Sequence, residues 1–299
     1  NDRLDAPLPW DHLDTGIDKN WLKEDLQRAL EATTVPDCSY AGCSHCGVCG
    51  IDFGHNIVVE PPEIPEFEGD FQPDQTRAQR IRVRFSKAGE MRLVSHLDLV
   101  RLFDRAVRRA NLPISYTGGY HPGPRISIAN ALSLGMSSSG EIVDFDMKET
   151  FDIDQFRDRL SAQLPEGINI NRVETVSLKN SATSLLDQAE YFVTVEAETP
   201  VSRSQWEEGL QAVLDQEEII WEKTTKSGKK KELNLRDRVF ALDFVEQLDD
   251  QTAKLRYLGS CRNDGTFLNP EHFVYMLEQV TGMDLNLNHA HRQQLILQD

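Results

Sequence analysis

With 299 residues, 39% of them hydrophobic and 27% charged, the chain has the length for about two domains and enough apolar content for packed cores. It contains no run of about 18 apolar residues, so nothing in it reads as a membrane span. A formal net charge of −17 argues against a protein whose whole surface wraps nucleic acid. The charge is nonetheless uneven. Residues 1–79 carry 16 acidic and 5 basic side chains, whereas residues 80–125 carry 10 basic and 3 acidic ones. A basic island in an acidic chain points to a localised anion site.

The first residues, NDRLDAPLPWDHLD, are acidic, lack a starting Met and have no leader character, which suggests a piece of a longer or processed chain. Residues 19–33 predict one amphipathic helix, with Trp21, Leu22, Leu26 and Leu30 on a single face. That face is too small to fold alone and calls for a surface to dock on. Next comes PDCSYAGCSHCGVCG, in which Cys38, Cys43, Cys46 and Cys49 follow the spacing C-x4-C-x2-C-x2-C. Four thiolates this close, joined by Gly and Ser, suit a soft metal site, either zinc or a [4Fe–4S] cluster, in a reducing cytoplasm. His45 or His55 could replace one of the cysteines, but each reads rather as a bystander. The fifth cysteine, Cys261, stands alone and reads as a buried or neutral surface thiol. Residues 57–76 hold four prolines and six carboxylates with no period, the composition of a stiff, extended linker.

The globular body begins near residue 80. Ile81, Val83 and Phe85 alternate with Arg82 and Arg84, predicting a half-buried strand with a basic outer face. Ser95 caps a helix with Asp98 three residues on. Leu99, Leu102, Phe103, Ala106, Val107 and Ala110 form its apolar stripe, and Arg101, Arg105, Arg108 and Arg109 lie opposite. A loop, SYTGGYHPGPR, follows. Strands near 125–131 and 141–147, a helix near 153–164 and a strand near 168–176 complete the order β-α-β-β-α-β, the ferredoxin-like pattern, with the helices on one sheet face and Arg82 and Arg84 projecting from the open one.

The pattern recurs as a strand at 191–198, a helix at 204–214, strands at 218–225 and 233–247 around a five-lysine turn, a strand at 254–259, a helix at 270–281 and a strand at 285–297. The reading is therefore an α+β protein of tandem ferredoxin-like halves behind a small Cys-rich metal segment. Its parts are 1–56 (cysteine segment), 57–79 (linker), 80–180 (first half) and 188–299 (second half). His272, His289 and His291 read as structural. The lysine turn is either a solvated hairpin tip or a phosphate-contacting arm.

The block RVRFSKAGEMRLVSHLDLVRLFDRAVRRANLPISYTGGYHPGPRISIANALSLGMSSSGEIVDF resembles the radical-SAM-linked domain of unknown function. That domain is fused to, or encoded beside, a cobalamin-binding-type radical S-adenosylmethionine (SAM) protein. The front segment, LPWDHLDTGIDKNWLKEDLQRALEATTVPDCSYAGCSHCGVCG, resembles the C-terminal end of that radical SAM protein. The resemblance implies a fusion tail, with the SAM-binding barrel, its C-x3-C-x2-C motif and cobalamin lying upstream. It implies a context more than a reaction.

Residues around the loop share the features of an anion or nucleotide site. Arg82, Arg84, Arg101, Arg105 and Arg125 offer charge-assisted forks to phosphate. Tyr116, Tyr120 and His121 offer stacking faces. Gly118, Gly119 and Gly123 permit close approach of a ligand to backbone. Three functions follow. The first is a substrate-recognition module presenting RNA, tRNA or rRNA, to a radical SAM partner. The second is a scaffold that docks that partner. The third is an independent RNA-processing enzyme with His96 and His121 as acid and base and Asp98 orienting one of them. The plain alternative is a solvated arginine face and an ordinary turn.

Overall fold

The computed structural model describes residues 4, 6–7, 9–13, 15–49, 63, 73–224 and 230–298. Of the linker, residues 57–62 and 64–72 fall outside this set, as do His55 and the centre of the lysine turn at 225–229. The chain divides into two compact units, Asn1–Asp70 and Phe71–Asp299.

In the first unit, α1 (Lys19–Leu30) starts at Asp18, whose carboxylate accepts from the N–H groups of Asn20 and Trp21. The helix buries none of its residues, and Leu22, Leu26 and Leu30 remain exposed. Trp21 anchors it through its indole N–H, which donates to the Ser44 carbonyl at 2.8 Å; Lys19 pairs with Asp11 at 2.7 Å, and Asp18 N–H donates to the Cys46 carbonyl at 2.8 Å.

The second unit is built on one large, mostly antiparallel sheet. Its strands are β1 (Gln79–Lys87), β2 (Ile126–Ile128), β3 (Ser137–Met147), β4 (Ile168–Val176), β5 (Leu186–Ala197), β8 (Val239–Gln247), β9 (Thr252–Ser260) and β10 (Leu285–Leu297); β6 (Ile220–Thr224) and β7 (Lys230–Asn234) form a separate hairpin. The strand order is β4-β1-β3-β10-β5-β9-β8, with the short β2 also on β3. Helices α2 (His96–Arg109), α3 (Ile153–Ser161), α4 (Ala182–Leu185), α5 (Arg203–Asp215) and α6 (Pro270–Thr281) connect them. The residues expected to form one strand at 233–247 instead form β7, a short 3-10 turn at Arg236–Arg238, and β8.

Two cores lie against this sheet. The first joins Ile81, Val83 and Phe85 of β1 to Leu99, Phe103 and Val107 of α2, Val143 and Phe145 of β3 and Phe156 of α3. Edge-to-face rings run through it: Phe85–Phe103 at 5.1 Å, Phe103–Phe145 at 5.7 Å and Phe145–Phe156 at 5.4 Å. This stack fixes α2 and α3 side by side. The second core gathers Tyr191, Val193 and Val195 of β5, Trp206 and Leu210 of α5, Leu255 and Tyr257 of β9 and Phe273 and Leu277 of α6.

β3 meets β10 in parallel at His291↔Ser137 and Arg292↔Ser138, and this short contact joins the two halves into one sheet. Gly140 makes the crossing possible. A Cβ there would stand 2.6 Å from the Gln293 carbonyl oxygen and 2.6 Å from Gln294 Cα.

Candidate nucleic-acid interface

The basic stretch divides into three environments. The first is the outer row of β1. Arg80 and Arg82 do not project from an open face; they are 7% and 4% exposed. Across the ladder stand Asp146 and Asp144, in register with Arg80 and Arg82 respectively. Arg82 donates to both Asp144 oxygens at 2.8 and 3.0 Å and to the Asn180 carbonyl at 2.8 Å. Asp144 also accepts from Ala182 N–H at 2.7 Å at the start of α4. The segment around residues 180–182 therefore covers this part of the sheet, and Arg82 is withdrawn from any ligand. Arg84 is half-buried. Its guanidinium donates to the Leu295 carbonyl at 3.1 Å, and burial lowers its pKa. It ties β1 to β10.

The second environment is the loop, which is a braced hairpin. Thr117 N–H donates to the Gly123 carbonyl at 2.8 Å, Gly123 N–H to Thr117 Oγ1 at 3.0 Å, and Arg125 N–H to the Ser115 carbonyl at 2.8 Å. Arg125 Nε donates to the Tyr116 carbonyl at 3.0 Å, so its side chain closes the base of the hairpin. Tyr116 N–H reaches the Asp74 carbonyl at 2.9 Å. Gly119 adopts a φ of +99°, which turns the tip. There Tyr120 is 95% exposed, edge-on to the exposed His121 ring at 4.9 Å.

The third environment is α2. Ser95 caps it, accepting from Asp98 N–H at 3.2 Å and donating to the Asp98 carboxylate at 2.7 Å. Asp98 also accepts from Arg101 at 3.0 Å. The Ser95 hydroxyl first, and then Arg101, hold its carboxyl below the usual range. Among the described residues, Asp98 thus serves the cap and Arg101, and no contact links His96 to His121.

Arg101, Arg105 and Arg109 line one side of an open groove of 610 Å³. Residues 162–165, just beyond α3, form the other side, with Val94 and Leu102 also in the lining. Arg108 turns instead to Asp104 at 2.8 Å. Arg105 and Arg109 make no ion pair among the described residues. Of the residues singled out in the sequence, the structure brings Arg101, Arg105 and Asp98 to one groove and Tyr120 and His121 to one tip. Arg109 belongs with the groove, as its i+4 spacing from Arg105 indicates. The opposite wall, including Leu164 and Pro165, had no sequence signal, because it arises from the packing of α2 beside α3.

A polar cluster at the seam also escaped the sequence reading. Ser137 Oγ lies 3.1 Å from His289 Nε2 and 2.8 Å from His291 Nδ1, and Ser139 Oγ lies 2.9 Å from His291 Nε2. Burial lowers the pKa of both histidines, with Arg92 adding to the effect at His289, and His289 and Lys254 at His291; only Glu141 opposes it.

In the first unit, Cys43 is exposed and Cys38, Cys46 and Cys49 are half-buried free thiols. His45 N–H donates to Cys43 Sγ at 3.3 Å, and Gly42, His45 and Gly47 adopt positive φ. These turns bring one backbone amide, that of His45, onto the Cys43 sulfur. No three metal-ligating side chains gather at binding distance among the described residues. Among those residues, too, no helix is long and apolar enough to cross a membrane.

The second unit is thus a mixed α+β protein with a large, mostly antiparallel sheet and an arginine-lined groove on its helical layer. The chain belongs to the family described as "Uncharacterized protein conserved in bacteria (DUF2344)", whose model matches residues 80–270. No curated protein matches it. Among solved structures, it is similar to a Cbf5-Nop10-Gar1 complex, with 11% identity over 72% of this chain and 48% of that one and a TM-score of 0.44. It is also similar to an archaeal box H/ACA sRNP Nop10-Cbf5 complex, with 10% identity, 74% and 49% coverage and a TM-score of 0.39. The chain spans about half the length of these neighbours.

Proposed function

We propose that this chain is a substrate-recognition module that binds RNA through the α2 groove and the Tyr120 hairpin, on behalf of a radical SAM protein fused to it or encoded beside it. The observation that carries the binding reading is that Arg105 and Arg109 remain without an ion-pair partner among the described residues, although the chain has 49 acidic side chains against 32 basic ones. In so acidic a protein, exposed arginines aligned with Arg101 along one groove are suited to an anion from outside. The hairpin adds an exposed aromatic pair on a braced loop, a stacking face for an unpaired base.

The partner reading rests on the sequence resemblance. SAM and cobalamin would belong to the partner, in a reducing cytoplasm, and the two halves of the sheet would be ferredoxin-like modules, each with a strand order of the 4-1-3-2 kind. The metal reading for Cys38, Cys43, Cys46 and Cys49 rests on their spacing and on the turns around Cys43; the four side chains would have to draw together on zinc or a [4Fe–4S] cluster.

The test is fluorescence anisotropy of the full chain with a labelled unmodified tRNA transcript at moderate salt. Arg105→Glu with Arg109→Glu should weaken binding at least about tenfold, and Arg157→Glu on α3 should leave it unchanged. Equal affinity of the double variant and the parent would refute the RNA reading.

A further inference from the structure

The groove is asymmetric, and the asymmetry bears on the form of its ligand. Arg101, Arg105 and Arg109 are spaced by four residues, so they rise in steps of roughly 6 Å along one line of α2. The facing wall carries no cation. It consists of residues 162–165, in which Leu164 and Pro165 are apolar, and the lining is completed by the apolar Val94 and Leu102. Gln163 is the only neutral amide in the lining, and its side chain makes no hydrogen bond among the described residues.

A nucleic-acid duplex fits such a groove poorly. Its bases are stacked inside, so it would present sugar and phosphate to both walls and leave charge facing Leu164 and Pro165. A single strand has phosphates along one edge and unpaired bases along the other. Its backbone can follow the arginine line while its bases cover the apolar wall, with the Gln163 amide placed for a base edge. Asp98 sits in the lining and pairs with Arg101, so the groove's net charge is about that of Arg105 and Arg109.

Resting on the RNA reading above, we infer that the groove takes a single-stranded segment of about three nucleotides, with its phosphates on the arginine line and its bases against Leu164 and Pro165. Two neutralised phosphates give a slope of log affinity on log salt of about −1.4 for a single strand.

The test uses the full chain with an eight-nucleotide oligouridylate, alone and annealed to oligoadenylate, across a salt series. The strand should bind at least about tenfold tighter than the duplex. Leu164→Asn, checked for an unchanged thermal melt, should weaken the strand at least about fivefold and the duplex hardly at all. Gln163→Ala, at a position outside both cores, should reduce discrimination among homopolymer strands. If strand and duplex bind equally and both variants are silent while Arg105→Glu with Arg109→Glu abolishes binding, the single-strand inference fails and the RNA reading stands. If the arginine reversals are silent as well, both fail.

Discussion

Arg292 of β10 and Glu141 of β3 form a two-point ion pair in the interior, with Nε to Oε1 at 2.7 Å and Nη2 to Oε2 at 2.6 Å, and with exposures of 0% and 1%. The remaining guanidinium donors reach Asn130 Oδ1 at 2.8 Å and the Tyr191 hydroxyl at 3.2 Å. The pair bridges the short parallel contact between the halves. Removing one partner strands the other as an unpaired buried charge, which costs about 3–5 kcal/mol. Arg292→Met should therefore lower the urea midpoint steeply. The double variant Arg292→Met with Glu141→Leu should recover part of that loss, because no orphan charge remains. A double variant worse than the sum of its singles would contradict this account.

Arg82 should behave as a structural residue. Arg82→Gln leaves Asp144 without its principal donors, so it should reduce stability by about 3 kcal/mol in urea unfolding. The folded fraction should bind RNA with parental affinity. If instead affinity falls with no change in melting, Arg82 belongs to the binding surface after all.

Gly140→Ala places a methyl group against backbone atoms of Gln293 and Gln294, which cannot swing aside as a side-chain end would. A cost of about 1–3 kcal/mol is expected, as for other overpacked sites. Gly119→Ala should act differently. Its space is open, but its φ of +99° strains an alanine, so the effect should be confined to the hairpin. Amide hydrogen exchange separates the two, the first raising exchange along β3 and β10 and the second only around Thr117 and Gly123.

Stability should also depend on pH through His289 and His291. Both have pKa values lowered below 6.5 in the folded chain, first by burial. The unfolded chain then binds more protons, so stability is complete above about pH 6.5 and is lost as pH falls through the lowered values. Urea midpoints at pH 8 and pH 6 should differ in the parent and converge in His289→Gln with His291→Gln. The lowered carboxylates, such as Asp187, act in a separate window at more acidic pH.

Thiol titration gives an independent check on the cysteines. Burial pushes the Cys261 thiol up to about 12, so it should react with an aromatic disulfide reagent only after denaturation. Metal-free protein should show four reactive thiols of its five. A bound zinc ion or cluster would hide those four until a chelator is added. Elemental analysis of freshly purified protein distinguishes the two metals.

The local signals in the sequence led to most of the elements. The alternation at Ile81, Val83 and Phe85 corresponds to β1, Ser95 is the cap of α2, and the strand at 168–176 and the helix at 270–281 end where their patterns end. What a one-dimensional reading lacked was pairing at a distance. Arg82 looked exposed because its neutralising partner, Asp144, lies 62 residues on. β3 begins at Ser137, earlier than its apolar residues indicate, because Ser137 and Ser139 find partners in the histidines of β10. The groove was half legible: its arginines follow from helical spacing, but its apolar wall exists only once α2 and α3 lie together.

The position of β10 has a consequence for how the protein is made. The strand that comes latest in the described sequence sits in the middle of the sheet, between β3 and β5. During synthesis β1 to β4 can pair with one another, and β5, β9 and β8 likewise, before Leu285 leaves the ribosome. Until then both β3 and β5 present unpaired backbone to any passing strand, a state prone to mispairing with other chains. Productive folding should therefore respond to chaperone supply and to the speed at which β10 follows β5 more than to the intrinsic stability of either half.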